Sequence, residues 1–140
     1  MMKNLVILAL LLLAVVSSSH AVSPPVALAS LDVGHVLKEA DSRVTRYRYL
    51  LNSLDSKYTE STSRIGDMTV TAQEQLKDHY GLSSSLKTIL EDTNIIIRSI
   101  KNPKPSFAEW VAAYVVLVGG GQNHSEAALD LQALAQTLGY

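Results

Sequence analysis

Apolar residues recur along the middle of the chain at alternating spacings of four and three residues. Such a heptad spacing is typical of a helix that packs along its length against another helix. The pattern predicts two long helices, at about residues 31–63 and 72–101, and Gly81 weakens the second, so that a kink or break near residue 81 stays open. The first series of apolar positions is Val33, Leu37, Ala40, Val44, Tyr47, Leu51, Leu54 and Tyr58, and the same phase returns at Leu82, Leu86, Ile89, Ile96 and Ile100.

The stretch between these two series, residues 61–71, is poor in helix-forming residues. Gly66 lies near its centre, and β-branched residues cluster after it. Thr71 and Glu74 have the spacing of a capping box that would begin the second helix. The periodicity alone also fits one long helix over residues 31–101, but the composition of the stretch favours a helical hairpin.

Two shorter helices are predicted after Pro103 and Pro105, because proline cannot continue a helix. The third helix, at about 106–118, is apolar on nearly every side and begins with a capping box at Ser106. The fourth, at about 124–138, has Asn123 as its cap. We therefore expect an all-α fold, in which a heptad-patterned helical hairpin is followed by two shorter helices in a four-helix bundle-like domain over residues 31–140. Residues 22–30 read as an extended lead that contains two prolines.

The N-terminus has the three parts of a cleavable secretory signal peptide. Lys3 supplies a positive charge, residues 5–16 are an unbroken apolar run, and Ser19 and Ala21 are the small residues before the cleavage site. Since the run has twelve residues and a membrane span needs about 20, a signal peptide is favoured over an anchor. We expect cleavage after Ala21 and a secreted or periplasmic product. A second small-residue site, at Ala27 and Ala29, lies farther from the apolar run and ranks lower.

Cysteine and charge restrict the class of protein. The chain has no cysteine, which excludes disulfides, cysteine nucleophiles and zinc or iron–sulfur sites built on thiolates. Removal of residues 1–21 takes away Lys3 and no acidic residue, so the remaining chain carries 11 basic and 13 acidic side chains. Without a basic stripe, we expect no nucleic-acid partner.

Residues 43–49 mix cations with aromatics, a composition that can mark a nucleic-acid or glycan contact. A helix would send Arg43, Arg46 and Arg48 in different directions, so the interpretation as a solvated face is favoured. His35 and Glu39 have a spacing that a metal could use, but no second histidine lies near them. No catalytic group set, phosphate loop or cofactor motif occurs. The sequence thus predicts no catalytic, cofactor or metal site, and a protein that is not an enzyme.

The third predicted helix carries more apolar surface than a small bundle easily hides. We therefore expect an exported protein that acts by binding or assembly, with a protein partner or a second copy of itself. Alternatives are association of residues 107–118 with a membrane surface and a carrier for a small apolar ligand. Asn123 begins a glycosylation sequon, which matters only in a eukaryotic source. The candidate interaction residues share one helical face: Phe107, Trp110, Val111, Tyr114, Leu117 and Val118.

The layout of signal peptide, long helical hairpin and small helical appendage resembles the minor pilus subunits of type IV secretion systems. The resemblance lies in the order of the elements and assigns no individual residue. It implies a structural role in a secretion apparatus.

Overall fold

The computed structural model describes residues 22–140, which form six helices joined by short connections. No strand occurs within these residues, so the predicted all-α class is confirmed. The predicted signal peptide, residues 1–21, lies outside the described residues. The helices are α1 (Pro24–Val33), α2 (Ser42–Lys57), α3 (Thr62–Tyr80), α4 (Leu86–Ile96), α5 (Phe107–Gly119) and α6 (His124–Thr137).

The lead that the sequence predicts to be extended is helix α1. Pro24 and Pro25 occupy its first turn, where a helix has no acceptor for an N–H and the fixed φ of proline suits the helix. The helix ends at Gly34, which has a φ of 82° and whose N–H donates to the Ser30 carbonyl at 2.9 Å. The prediction of one helix over residues 31–63 is therefore wrong, because α2 begins only after Asp41 has capped it.

Residues 61–71, predicted as the hairpin connection, lie mostly in the first half of α3. Ser61 caps this helix by accepting a hydrogen bond from the Arg64 N–H at 3.4 Å. Gly66 faces the side chain of Leu28 in α1, and the buried Thr69 hydroxyl donates to the Ile65 carbonyl at 2.7 Å. Burial against α1 thus overcomes the weak helix propensity of the segment. The predicted turn is absent from this part of the chain.

The predicted second helix, residues 72–101, is divided at Gly81. This glycine has a φ of 67°, a left-handed conformation that ends a helix. Its N–H donates to the Lys77 carbonyl at 3.0 Å. Helix α4 then begins after Ser85, whose hydroxyl oxygen accepts from the Thr88 N–H at 3.0 Å, and it ends at Ile96 rather than at Lys101.

The bounds of α5 and α6 lie within one residue of the prediction. Asn123 and Glu126 form the expected capping box at α6, with the Asn123 side chain accepting from the Glu126 N–H at 2.9 Å. The capping box predicted at Ser106 is wrong, because the Ser106 side chain makes no cap hydrogen bond to α5. A carboxylate from elsewhere, that of Glu60, accepts from the first N–H groups of α5 instead.

One hydrophobic core receives side chains from all six helices. Helix α1 packs against α2, α3 against α5, and α4 against α6. Tyr58 and Phe107 meet edge to face in this core, with ring centroids 5.3 Å apart. The largest side chains with almost no exposure are Tyr58, Tyr114, Phe107, Leu50, Leu51, Leu54, Ile65, Leu76, Leu86, Ile89, Leu90 and Ile96.

Candidate functional site

A groove lined by cationic side chains opens between the end of α1, α2 and the first turn of α4. We call it the cationic groove; it has a volume of about 330 Å³. Positions three and four apart lie on the same side of a helix, so Arg43, Arg46 and Tyr47 of α2 all face it. The expectation that Arg43 and Arg46 point apart is therefore wrong. The lining residues are Val33, Ser42, Arg43, Arg46, Tyr47 and Lys87.

Carboxylates at the rim orient the three cations. Arg43 makes a two-pronged pair with Asp41 at 2.8 and 2.9 Å, and its side-chain hydrogen bond lowers the pKa of Asp41 to about 2. Arg46 Nη2 lies 3.1 Å from Glu91 Oε1, and Lys87 Nζ lies 3.7 Å from the same oxygen. About half of each cationic side chain remains exposed. Exposed ion pairs are weak, so a bound anion can compete for these cations.

The floor of the cationic groove is fixed by Asp32 at the end of α1. Its carboxylate accepts hydrogen bonds from the Tyr47 hydroxyl and from the Leu86 and Lys87 N–H groups, the last two at 2.9 and 3.0 Å. Burial, together with the hydrogen bond and charge of Asp32, raises the pKa of Tyr47, which stays a neutral phenol. The groove therefore presents cations around an aliphatic and aromatic floor, an arrangement that binds an anion with an apolar part.

A second polar cluster joins the α3–α4 loop to α4, α5 and α6. Ser84 Oγ lies 3.0 Å from His124 Nε2, the Tyr114 hydroxyl contacts His124 Nδ1, and Tyr114 donates to Asp92 Oδ2 at 2.6 Å. We call these four residues the serine–histidine cluster. Tyr114 was expected only as an interaction residue, and no spacing motif indicated the other three, because all four lie far apart in the sequence.

Burial shifts the acid–base properties of the two innermost members of this cluster. It raises the pKa of Asp92, opposed by the hydrogen bond from Tyr114 and by the charge that His124 carries when it is protonated. It also raises the pKa of Tyr114, and the hydrogen bond to Asp92 and its charge act in the same direction. Tyr114 is consequently a neutral phenol that keeps its proton.

The candidate interaction residues of the third predicted helix lie in the core rather than on the surface. Helix α5 turns them toward α3, α4 and α6, so its solvent side carries Ala112 and Val116 instead, the latter 62% exposed. An apolar groove of about 180 Å³ runs beside this side, between α3 and α5. Leu117 is half-buried, and the buried members of the set are Phe107, Trp110, Val111, Tyr114 and Val118.

Two further residues considered in the sequence have structural partners. Glu39, whose spacing from His35 a metal could use, accepts hydrogen bonds from Arg48 and the Ser23 hydroxyl, each at 2.6 Å. Asn123 is exposed, and its side-chain oxygen caps α6. Among residues 22–140, no three histidine or acidic side chains converge as metal ligands would. Over the same residues, no helix has the length and apolar character needed to cross a membrane.

Comparison of the chain with protein-family models, with curated proteins and with solved structures gave no match.

Proposed function

We propose that this chain is an exported helical protein that acts by binding, and that the cationic groove is its binding site for a small organic anion. The observation that carries the proposal is the convergence of three cations, from two helices, around the buried ring of Tyr47. Arg43 and Arg46 supply guanidinium groups, which recognise carboxylates and phosphates through paired hydrogen bonds.

The size and lining of the cationic groove define the class of ligand. Its volume of about 330 Å³ falls at the small end of the range of roughly 300–1,000 Å³ for small-molecule sites. Val33 and the Tyr47 ring offer an apolar contact beneath the cations. The ligand is therefore a molecule with one carboxylate or phosphate and a short apolar part.

An NMR titration with hexanoate, hexyl phosphate and hexanol tests this proposal. We expect the two anions to shift the resonances of Tyr47 and Lys87 with saturation, and hexanol to leave them unchanged. Arg46→Ala is expected to weaken anion binding by about tenfold, the effect of roughly 1.4 kcal/mol. Arg48→Ala is the matched control, because Arg48 lies on the same helix but pairs with Glu39 outside the groove. Equal effects of the two variants, or no saturable shift, would overturn the proposal.

Assembly with a second copy is the second candidate function, and the apolar groove between α3 and α5 favours it. Met68, Ala108 and Val115 line this groove, and the exposed Val116 stands beside it. Light scattering on the purified protein should then reveal a dimer whose fraction rises with concentration. Val116→Asp is expected to abolish the dimer, whereas Leu129→Asp, at a similarly exposed position on α6, is expected to keep it. A monomer at every concentration would reject this candidate.

The membrane-surface role has less support. Phe107, Trp110 and Tyr114, the side chains that would enter the interface, are buried in the core and would leave it only with loss of its packing. Co-sedimentation with anionic and with neutral liposomes tests this role directly. The secretion-apparatus role rests on the order of the predicted elements alone.

A further inference from the structure

In the serine–histidine cluster, hydrogen bonds link the accessible hydroxyl of Ser84, through His124 and Tyr114, to the part-buried carboxylate of Asp92. Ser84 is partly exposed in the loop between α3 and α4, and its Oγ lies 3.0 Å from Nε2 of His124. Behind the imidazole, the Tyr114 hydroxyl bridges Nδ1 to Asp92. The His124 side chain is 31% exposed and that of Asp92 14%, and Tyr114 between them is buried.

The direction of each hydrogen bond follows from the number of protons available. Tyr114 has one hydroxyl hydrogen and gives it to Asp92, whose carboxylate can only accept. The Tyr114 oxygen can therefore meet His124 Nδ1 only as an acceptor, which places the hydrogen of a neutral imidazole on Nδ1. The lone pair of Nε2 then faces Ser84, and Ser84 donates its hydroxyl hydrogen to it.

Ser84 and His124 both lie at the N-terminal end of a helix, where neighbouring hydrogen bonds hold them in place. The Ser84 carbonyl accepts from Gln73 Nε2 at 2.7 Å, and the next residue, Ser85, caps α4. His124 is the first residue of α6, directly after the capping residue Asn123. A nucleophile and a base carried on supported positions keep the geometry that proton transfer needs.

We propose that Ser84 is a nucleophile activated by His124, and that this site transfers the acyl group of esters whose alcohol is a good leaving group. Ser84 Oγ attacks the ester carbonyl carbon while its proton passes to His124 Nε2. Cleavage of the carbon–oxygen bond returns that proton to the leaving oxygen and leaves the acyl group on Ser84. A water molecule that gives its proton to His124 then releases the carboxylic acid and restores the Ser84 hydroxyl.

Ser84 and His124 are the catalytic residues of this reaction, and Tyr114 and Asp92 are positioning residues that hold the hydrogen on Nδ1. The order of nucleophile, base and orienting group follows that of serine hydrolases on unrelated folds, with the Tyr114 hydroxyl interposed between the imidazole and the carboxylate. Esters with a phenolate-like leaving group fit the site, because such a group departs with no acid beyond the Nε2–H of His124. The activity is independent of the cationic groove and departs from the expectation of no catalysis.

Reaction of the purified protein with a fluorophosphonate probe and with p-nitrophenyl acetate tests the proposal. We expect one phosphonyl adduct, mapped to Ser84 by peptide mass, and release of p-nitrophenolate above the background rate. Ser84→Ala should abolish both signals. Ser83→Ala is the matched control, since Ser83 is an exposed neighbour in the same loop, and it should keep both.

The rate of adduct formation in two further variants tests the role of His124. His124→Ala is expected to slow adduct formation by about 100-fold, the low end of what a general base contributes, and added imidazole should restore part of the rate. Tyr114→Phe is expected to slow it by about tenfold and to move the pH dependence of labelling, which a merely structural role would not do. No adduct at Ser84 of the unaltered protein, equal labelling of Ser83, or unchanged labelling in His124→Ala would overturn the proposal.

Discussion

The Asp32 carboxylate accepts a hydrogen bond from the backbone N–H of Leu86 at 2.9 Å, although 54 residues separate them in the chain. The same carboxylate binds the Lys87 N–H and the Tyr47 hydroxyl, so one side chain holds α1, α2 and the start of α4 together. A negative charge at the N-terminus of a helix also meets the positive end of the helix dipole. This contact positions Lys87 at the rim of the cationic groove.

Asp32→Ala is expected to lower the free energy of unfolding by about 2 kcal/mol, because it leaves two N–H groups and a part-buried hydroxyl without their acceptor. Urea denaturation followed by circular dichroism measures the change. Asp67→Ala, at an exposed position on α3, is the control and should change the value by less than about 0.5 kcal/mol. Equal stabilities of the two variants would show that the Asp32 contacts add nothing.

Glu60 gives the protein an acid-sensitive contact at the start of α5. Burial alone would raise the pKa of Glu60, but the hydrogen bonds that it accepts from the Phe107 N–H at 2.7 Å and from Ser106 and Ala108 outweigh burial and lower the pKa. Because the folded-state pKa is below the unfolded one, this stabilisation is present above the ordinary glutamate pKa. It is lost as the pH falls through the folded-state pKa.

Glu60→Gln should therefore destabilise the protein by about 1 kcal/mol at pH 7, as the loss of a helix cap does. The difference in stability between Glu60→Gln and the unaltered protein, which we call the gap, should disappear in acid, below the folded-state pKa of Glu60. Glu74→Gln on the exposed side of α3 serves as the control. Thermal unfolding at several pH values measures the gap, and a gap that stays constant with pH would contradict the assignment.

Alanine substitutions at Gly66, within α3, and at Gly81, which ends α3, are expected to change the stability of the protein in opposite directions. Within the helix, a Cβ added at Gly66 would lie 3.6 Å from the Leu28 side chain, an ordinary contact, so Gly66→Ala should stabilise by about 0.5–1 kcal/mol. Gly81 has a φ of 67°, and alanine in that conformation costs about 1–2 kcal/mol. Melting temperatures of the two variants check this pair, and shifts in the same direction would refute the explanation.

The position of α1 bears on the expected signal cleavage. A cut after Ala21 leaves α1 whole, since the helix begins at Pro24. A cut after Ala29 would remove Val26 and Leu28, both buried in the core. We therefore expect the exported protein to begin at Val22, as an intact mass would show. Ala21→Phe should leave the precursor uncut, because the cleavage site needs a small residue. An N-terminus at Ser30 would contradict this expectation.

Local signals were enough to predict α5 and α6 from the sequence. Pro103 and Pro105 precede α5, and the Asn123–Glu126 capping box fixes the start of α6. The first half of the fold depended on contacts between distant residues. Leu28 buries Gly66 inside a helix that its composition disfavours, and no pattern within residues 61–71 reports that contact.

The same contrast applies to the two candidate sites. The spacing of Arg43, Arg46 and Tyr47 on one helical side was present in the sequence, but Lys87 joins them only through the Asp32 contact. The approach of Ser84 to His124 requires α4 to pack against α6. Periodicity could predict the apolar side of each helix, but it could not predict which helices meet.

The two carboxylates that cap helices from a distance, Asp32 and Glu60, both precede their helices in the chain. A polypeptide made from its N-terminus therefore contains each acceptor before the N–H groups of α4 or α5 have been synthesised. The acceptor that caps each of these helices is therefore present in the chain before the helix itself. The starts of α4 and α5 are thus marked by side chains from earlier in the chain, whereas the packing of α3 and α4 is completed only when α5 and α6 are present.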